Sequence, residues 1–525
     1  MANQDHQVLI IGSGHAGGMA AYVLAQKGVR CLMLNAGPPV DLSRDRRSVA
    51  THEMAFRGLM EPGAIGDGAV GENVLSAFVH PSEVPYTHAA GKPYVWVRNR
   101  MLGGRSMFWS RQSFRMSDLE FKAKDHDGYG ENWPIGLADL APFYERVEAL
   151  YRVTGRPEGL AHFPDSKFAT INDSPDSDLL KKVIAVAKSR GITISKGRQS
   201  LGLDGLASSI NLMLPEALAS GNLSIVPNAI VRELTVDKNT GRVNGAHFID
   251  RHTRREMHVK ARVVVLAAGS LESTRLLLNS GIANSSGVLG RYLFDQYYGG
   301  TAIAVIPEAV GRARQGSSAR PGFGGGIIAP FRNVTTREKT FIRRYVVNLS
   351  VGANPSPDVL ATYGADLEQK MADYAGAICQ GGMMGEVLPR YENHVRINSA
   401  VKDVYGIPVL HVSAAYTDNE RNMHQDAQDS MADLFQAAGF QLLAKNPNHR
   451  EPGQSVHELG TCRMGDNPRT SVLNRWSQSH DVPNLLVVDG SSFVTSGWQN
   501  PTLTLSAISM RAADHLAELL RRGDV

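Results

Sequence analysis

The sequence predicts an α/β nucleotide-binding fold interleaved with an α+β domain whose sheet is largely antiparallel. Three observations carry that expectation. The chain opens with an apolar strand, a glycine turn and an Ala-rich helix. Two further buried-type strands, far along the sequence, end in Ala267-Ala268-Gly269 and Asp489-Gly490. Between them lies a stretch of shorter alternating segments broken by Pro and Gly.

With 525 residues, 42% hydrophobic and 20% charged, the chain is globular in composition and too long for one small core. Lys and Arg number 55 against 51 Asp and Glu, and no basic run concentrates the +4 charge. Nucleic acid and an anionic membrane surface are therefore not implied partners, and a small-molecule substrate is expected. Cys31, Cys379 and Cys462 are isolated, which offers neither a metal-ligand pair nor a disulfide framework and suits a reducing compartment. Only a few residues precede Val8, and no apolar run approaches the roughly 20 residues of a membrane span. A cytoplasmic location is expected, with co-export beside a partner subunit left open.

In chain order, Val8 to Ile11, the turn Gly12 to Gly18, the helix to Lys27 and the strand Arg30 to Leu34 form a βαβ opening. Residues 46–94 are rich in Gly, Pro, Glu and His and suggest an arm or lid. A glycine-centred segment, Arg100 to Ser110, precedes Trp133-Pro134-Ile135 and an amphipathic helix over Leu137 to Tyr151. The strand Val263 to Leu266 is apolar throughout, as a strand covered on both faces must be. Alternation over Tyr345 to Val351 and Val395 to Ile397 marks the antiparallel region, with one helix near Glu420 to Ala438. Asn500-Pro501-Thr502 opens a last helix to about Leu520. The expected division is 1–45, 95–160, 196–299 and 453–525 for the nucleotide domain, and 300–452, with 161–195 as a candidate addition, for the substrate domain.

In Gly12-x-Gly14-x-x-Gly17 the first two glycines permit a tight turn and close approach of backbone to a pyrophosphate, and the third lets helix pack on strand. The helix N-terminus then offers free N–H groups to the anion. The residue at the end of the second strand, usually an acid for the ribose hydroxyls, is Asn35; it either bonds the diol without charge or simply begins the turn at Gly37-Pro38. Three strand ends returning to one nucleotide favour FAD over NAD.

Together, the glycine turn, Gly103-Gly104-Arg105-Ser106, Ala268-Gly269, the block His457 to Gly465 and Asn500-Pro501-Thr502-Leu503-Thr504 resemble the glucose-methanol-choline (GMC) oxidoreductases. Arg111-Gln112, Asp127 to Gly130 and Trp133-Pro134-Ile135 make the chain most similar to the pyranose oxidase and bacterial glucoside 3-dehydrogenase branch. The resemblance implies a Rossmann-like FAD-binding domain of the glutathione-reductase type and oxidation of a secondary sugar hydroxyl to a ketone. It implies His457 as catalytic histidine and Asn500 as its partner. Asp489 and Gly490 match residues at the flavin's phosphates and ribityl chain, and Gly103, Gly104, Trp109 and Ser110 match the segment along the isoalloxazine. The implied cofactor contacts also include Ser13, Ala16, Ala36, Met107, Val231, Ala268, Gly269, Pro501 and Thr502. Phe108 stands where some pyranose oxidases carry the histidine that bonds FAD covalently, so non-covalent FAD is expected.

Alcohol oxidation needs a base within reach of the hydroxyl, and neutral histidine suits that task. His457 is that candidate, against a loop histidine satisfying carbonyls. Asn500, placed before Pro501, is equally suited to cap the last helix. Trp498 and Gln499 combine an aromatic face with an amide, a common way to hold a sugar ring, with core packing as the alternative. The alternatives in function are oxidation of a non-sugar alcohol and a hydroxynitrile lyase without net redox chemistry. Oxygen, quinone or a redox partner could each take the electrons, and the oligomeric state is left open.

Overall fold

The structure, a computed structural model, describes residues 6–39, 79–202, 207–312 and 324–525. Most of the expected arm, up to residue 78, lies outside the described residues. A five-stranded parallel sheet forms the first layer, from β1 (Val8–Ile11), β2 (Cys31–Leu34), β3 (Leu223–Val226), β4 (Val263–Leu266) and β5 (Leu485–Val487), in the order β5-β4-β1-β2-β3. β1, β2, β4 and β5 are buried at every position, which is why their sequences are apolar without alternation. Helix α1 (His15–Gln26) packs on it, and α3 (Thr502–Arg522) lies along α1, while α2 (Ser270–Ser280), which follows β4, packs against the strand Ala229–Val236. This is the expected Rossmann-like core, with the opening βαβ unit in register from Val8 beside Cys31.

The second layer is a six-stranded sheet ordered Gln441–Lys445, Gln296–Val305, Ile378–Glu386, Tyr345–Ala353, Gly324–Ile328 and Ile194–Ser195, and its paired strands all run antiparallel. The helix Asp418–Ala437 lies across it, burying Met423, His424, Ala427 and Met431. Glycines on the sheet make room: a Cβ at Gly299 would sit 2.5 Å from the His424 ring. His424 bonds the carbonyl of Gly300 at 2.6 Å. Side chains two apart on a strand share a face. Gln296 and Tyr298 therefore point one way and Tyr297, 3.1 Å from His424, the other.

The helices Leu137–Tyr151 and Asp418–Ala437 fall where periodicity predicts them. Among the described residues, no helix is long and apolar enough to cross a membrane.

Candidate active site

A cavity of about 670 Å³ opens at the carboxyl ends of β1, β2, β4 and β5, the usual ligand crevice of an open parallel sheet. At its floor, Gly12 has φ +100°, and a Cβ there would lie 2.3 Å from the carbonyl of Ala267; a Cβ on Gly17 would lie 1.9 Å from the carbonyl of Gly12. Those two positions close the turn and seat α1 against β1. Gly14 differs: its nearest neighbour is 3.9 Å away, so its bare backbone lines the cavity. The N-terminus of α1 carries no side-chain cap and no acidic residue in its first turn, leaving its N–H groups to the cavity.

Ser13 Oγ donates to Asn35 Oδ1 at 2.7 Å and accepts from the Gly103 amide at 2.9 Å. Asn35 Nδ2 donates to the carbonyl of Gly37 at 3.0 Å. The glycine turn, the end of β2 and the Gly103 segment are thus tied together through one hydroxyl. Asp489 plays a similar part at the other strand ends. Its Oδ2 accepts from the Gly269 amide at 3.1 Å and Ser273 Oγ at 2.5 Å, and its Oδ1 from the Ser491 amide at 3.1 Å and Ser491 Oγ at 2.6 Å. Burial raises its pKa, and those donors oppose the rise.

His457 lies on the cavity wall in a loop organised by a buried carboxylate. Asp295 accepts from the amides of Gly453 at 2.9 Å and His457 at 3.1 Å and from Ser455 Oγ. Burial first, and Glu458 second, raise Asp295 to about 6. Arg105 clamps the same loop, donating to Val456 O at 2.7 Å and Glu458 Oε2 at 2.5 Å. Gln296, which sequence reasoning missed, decides the state of the imidazole. Its Nε2 donates to the carbonyls of Gly497 at 2.8 Å and Gln499 at 2.7 Å, so its Oε1 is the atom 2.7 Å from His457 Nδ1. A carbonyl oxygen only accepts, so Nδ1 carries the proton. Burial, then Arg105 and Arg450, push the His457 pKa down to about 3. A neutral ring protonated on Nδ1 keeps the lone pair on Nε2, for which no protein partner is found among the described residues.

Asn500 lies opposite, 4% exposed, with Tyr298 beside it. Pro501 occupies the N-cap position of α3 and no side chain caps that helix, so Asn500 is not a cap. Its side chain is hydrogen-bonded to the Tyr298 hydroxyl, and its Oδ1 has no partner among the described residues. Tyr298 itself is pushed up to about 12, chiefly by burial.

Of the remaining expected residues, Ala16, Ala36, Gly104, Trp109, Ser110, Val231, Ala268, Gly269, Gly490, Pro501 and Thr502 line the cavity. The other four stand off its wall. Trp498 is 1% exposed and stacks on Phe163 with centroids 5.3 Å apart and planes 3° from parallel; it is core, not cavity wall. Gln499 is equally buried, its Nε2 directed to Arg115 O at 3.3 Å and Glu120 Oε2 at 3.2 Å. Gly103 stands one layer behind the wall against Ile210, and Met107 lies behind Gly103. His15 is also a wall residue, 7% exposed, bonded to the Tyr151 hydroxyl at 2.8 Å and set edge-on to Trp109.

Residues 204–298 and 389–509 match the N- and C-terminal family models described as GMC oxidoreductase, and residues 5–68 match an FAD binding domain. The chain is 27% identical to 2-methyl-1,2-propanediol dehydrogenase of Mycolicibacterium austroafricanum over 97% of this chain and 95% of that protein. It is 24% identical to C-glycoside 3-oxidase of Arthrobacter globiformis over 98% and 95%. Among solved structures, pyridoxine 4-oxidase from Mesorbium loti superposes with a TM-score of 0.66 at 19% identity, covering 97% of this chain and 99% of that one.

Proposed function

Because the chain belongs to the GMC oxidoreductases, we propose that it oxidises a secondary hydroxyl of a sugar or glycoside to a ketosugar, with His457 as base and FAD held without a covalent bond. The observation that carries the reading is the Gln296–His457 bond, which leaves a neutral Nε2 lone pair on the wall of the cavity. A base so placed accepts the proton of the hydroxyl oxygen while the hydride leaves the carbon that bears that hydroxyl, forming the C=O bond. Bound in this cavity, FAD supplies the hydride acceptor.

The residues present suit that group. The backbone of Gly12, Ser13 and Gly14 with the N-terminus of α1 would cradle its pyrophosphate, and Ala36 and Val231 would flank the adenosine end. Ala268, Gly269 and Gly490 would lie along the connecting chain, on strand ends that Asp489 pins. Trp109, Ser110 and Gly104 would border the isoalloxazine. Pro501 and Thr502 bring the uncapped N-terminus of α3 to the same cavity, where its dipole favours negative charge. Asn500 would hold Tyr298 in place through one Nδ2 hydrogen and meet the oxygen of the substrate hydroxyl with the other, leaving the hydroxyl proton to His457.

Phe108, on the wall, offers no heteroatom for attachment, so acid precipitation of the holoenzyme is expected to release all of its flavin into the supernatant. Flavin remaining on the pellet would contradict the non-covalent assignment.

A sugar substrate draws support from the relatives named C-glycoside 3-oxidase and, at 24% identity, fructose dehydrogenase large subunit of Gluconobacter japonicus. A second reading, a non-sugar alcohol, is favoured by the relative named 2-methyl-1,2-propanediol dehydrogenase. Incubation of the holoenzyme with pyranosides, free sugars and short diols, followed by NMR of the products, separates the two. A ring ketone from a pyranoside is the expected result; products from the diols alone would overturn the sugar reading.

A further inference from the structure

A dinucleotide's adenosine ribose is ordinarily met by an acid at the end of the second strand. Here that position is Asn35, 6% exposed, with its Oδ1 taking a hydrogen bond from Ser13 and its Nδ2 giving one to Gly37. It contributes no charge, and both its polar atoms are already engaged.

Across the same cavity, the first turn of α2 presents Glu272. Among the described residues its Oε1 has no hydrogen-bond partner; it lies 3.7 Å from Arg100 Nη2 and 3.9 Å from Arg98 Nη1, distances of attraction without a bond. Burial alone would raise the Glu272 carboxyl, but Arg275, Arg100 and Arg98 outweigh it and hold the group below its ordinary value. The carboxylate is thus ionised and under-bonded.

Arg100 connects this group to the end of β2. Its carbonyl presses on Gly37 so closely that a Cβ there would be 1.9 Å away, while its guanidinium reaches Glu272. Among the described residues, Arg98 Nε and Nη1, Arg100 Nη1 and both amide atoms of Asn99 also lack hydrogen-bond partners, and all three residues line the cavity. So many unmet donors and acceptors on one wall need an explanation beyond packing, because buried polar atoms are ordinarily paired. An acceptor-only carboxylate matches a diol, and the arginine and amide N–H groups match phosphate oxygens.

We propose that Glu272 receives the ribose hydroxyls of the adenosine half of FAD, taking the part that residue 35 has lost, with Asn99, Arg98 and Arg100 directed to the adjoining phosphates. The inference rests on FAD being the cofactor and not on the identity of the substrate. The simpler alternative is an ion-pair staple that holds residues 97–102 to α2.

Binding of FAD and of FMN, which lacks the adenosine, to apoprotein tests the assignment by flavin fluorescence, alongside thermal melting of each apo form. Glu272→Ala is expected to weaken FAD about 10- to 100-fold with FMN affinity unchanged. Glu272→Gln, isosteric and able to accept one bond, is expected to fall between, and serves alone if the Ala variant does not fold. FAD affinity unchanged in both variants, or FAD and FMN weakened by equal factors, would overturn the proposal. Because no substrate is involved, unchanged FAD affinity together with turnover of sugars would sink this inference and leave the proposed function standing.

Discussion

Replacing His457 by Ala is expected to lower the rate constant for flavin reduction by about 10²- to 10⁴-fold while the protein keeps its FAD. The size follows from loss of the proton acceptor, and the retention of flavin from the fact that the nucleotide cradle is built from other residues. Rapid-mixing absorbance of the flavin, with FAD content measured separately, checks both halves. A variant within tenfold of wild type would remove His457 from the chemistry. The wild-type pH profile carries a related signature. With a pKa of about 3 against the usual 6.5, Nε2 stays unprotonated throughout the neutral and mildly acidic range. The reduction rate should therefore show no inflection near 6.5 and fall only in much stronger acid. The stability linkage has the same sign. His457 and His15, both pushed by burial to about 3, contribute stability that is present above 6.5 and is lost as pH falls towards their folded values, so melting temperature should decline on acidification from pH 6.5.

Trp498→Ala should act on the other side of the ledger, destabilising the fold by about 3–5 kcal/mol with little specific effect on substrate KM. Its ring is 1% exposed, stacks on Phe163 and lies 5.3 Å from Phe114, so removal leaves a hole between rigid aromatics. Trp498→Phe should recover most of the loss. Urea unfolding midpoints measure the first effect, and steady-state kinetics below the transition measure the second. Unchanged stability with a large rise in KM would return Trp498 to the substrate site.

These two residues also mark where the sequence could and could not be read. The parallel core was legible because strands covered on both faces must be apolar at every position, as in Val263 to Leu266, and because Gly12 and Gly17 occupy sites where a Cβ collides with backbone. The long helices were legible from periodicity. The blocks around His457 and Asn500 pointed to them, and both line the cavity. Gln296 was not, for a single glutamine at the start of a strand has no pattern, and its partner is 161 positions away. Period-2 alternation could have linked Gln296 to Tyr298, but not to the loop they face. Trp498 misled because adjacency in sequence to Asn500 says nothing about direction: the side chains of neighbouring residues in an irregular loop diverge, one to the core and one to the cavity. Glu272 was hidden by a different rule. An acid in the first turn of a helix looks like ordinary dipole complement until its oxygen is found without a partner.

In the proposed reaction this cavity passes a hydride from a sugar carbon to FAD while His457 takes the proton. Anaerobic mixing of the holoenzyme with a panel of pyranosides, while following the oxidised flavin absorbance, tests it most directly. The account predicts bleaching by at least one pyranoside, slowed by the factor given above in His457→Ala; flavin that stays oxidised with every sugar offered would contradict it.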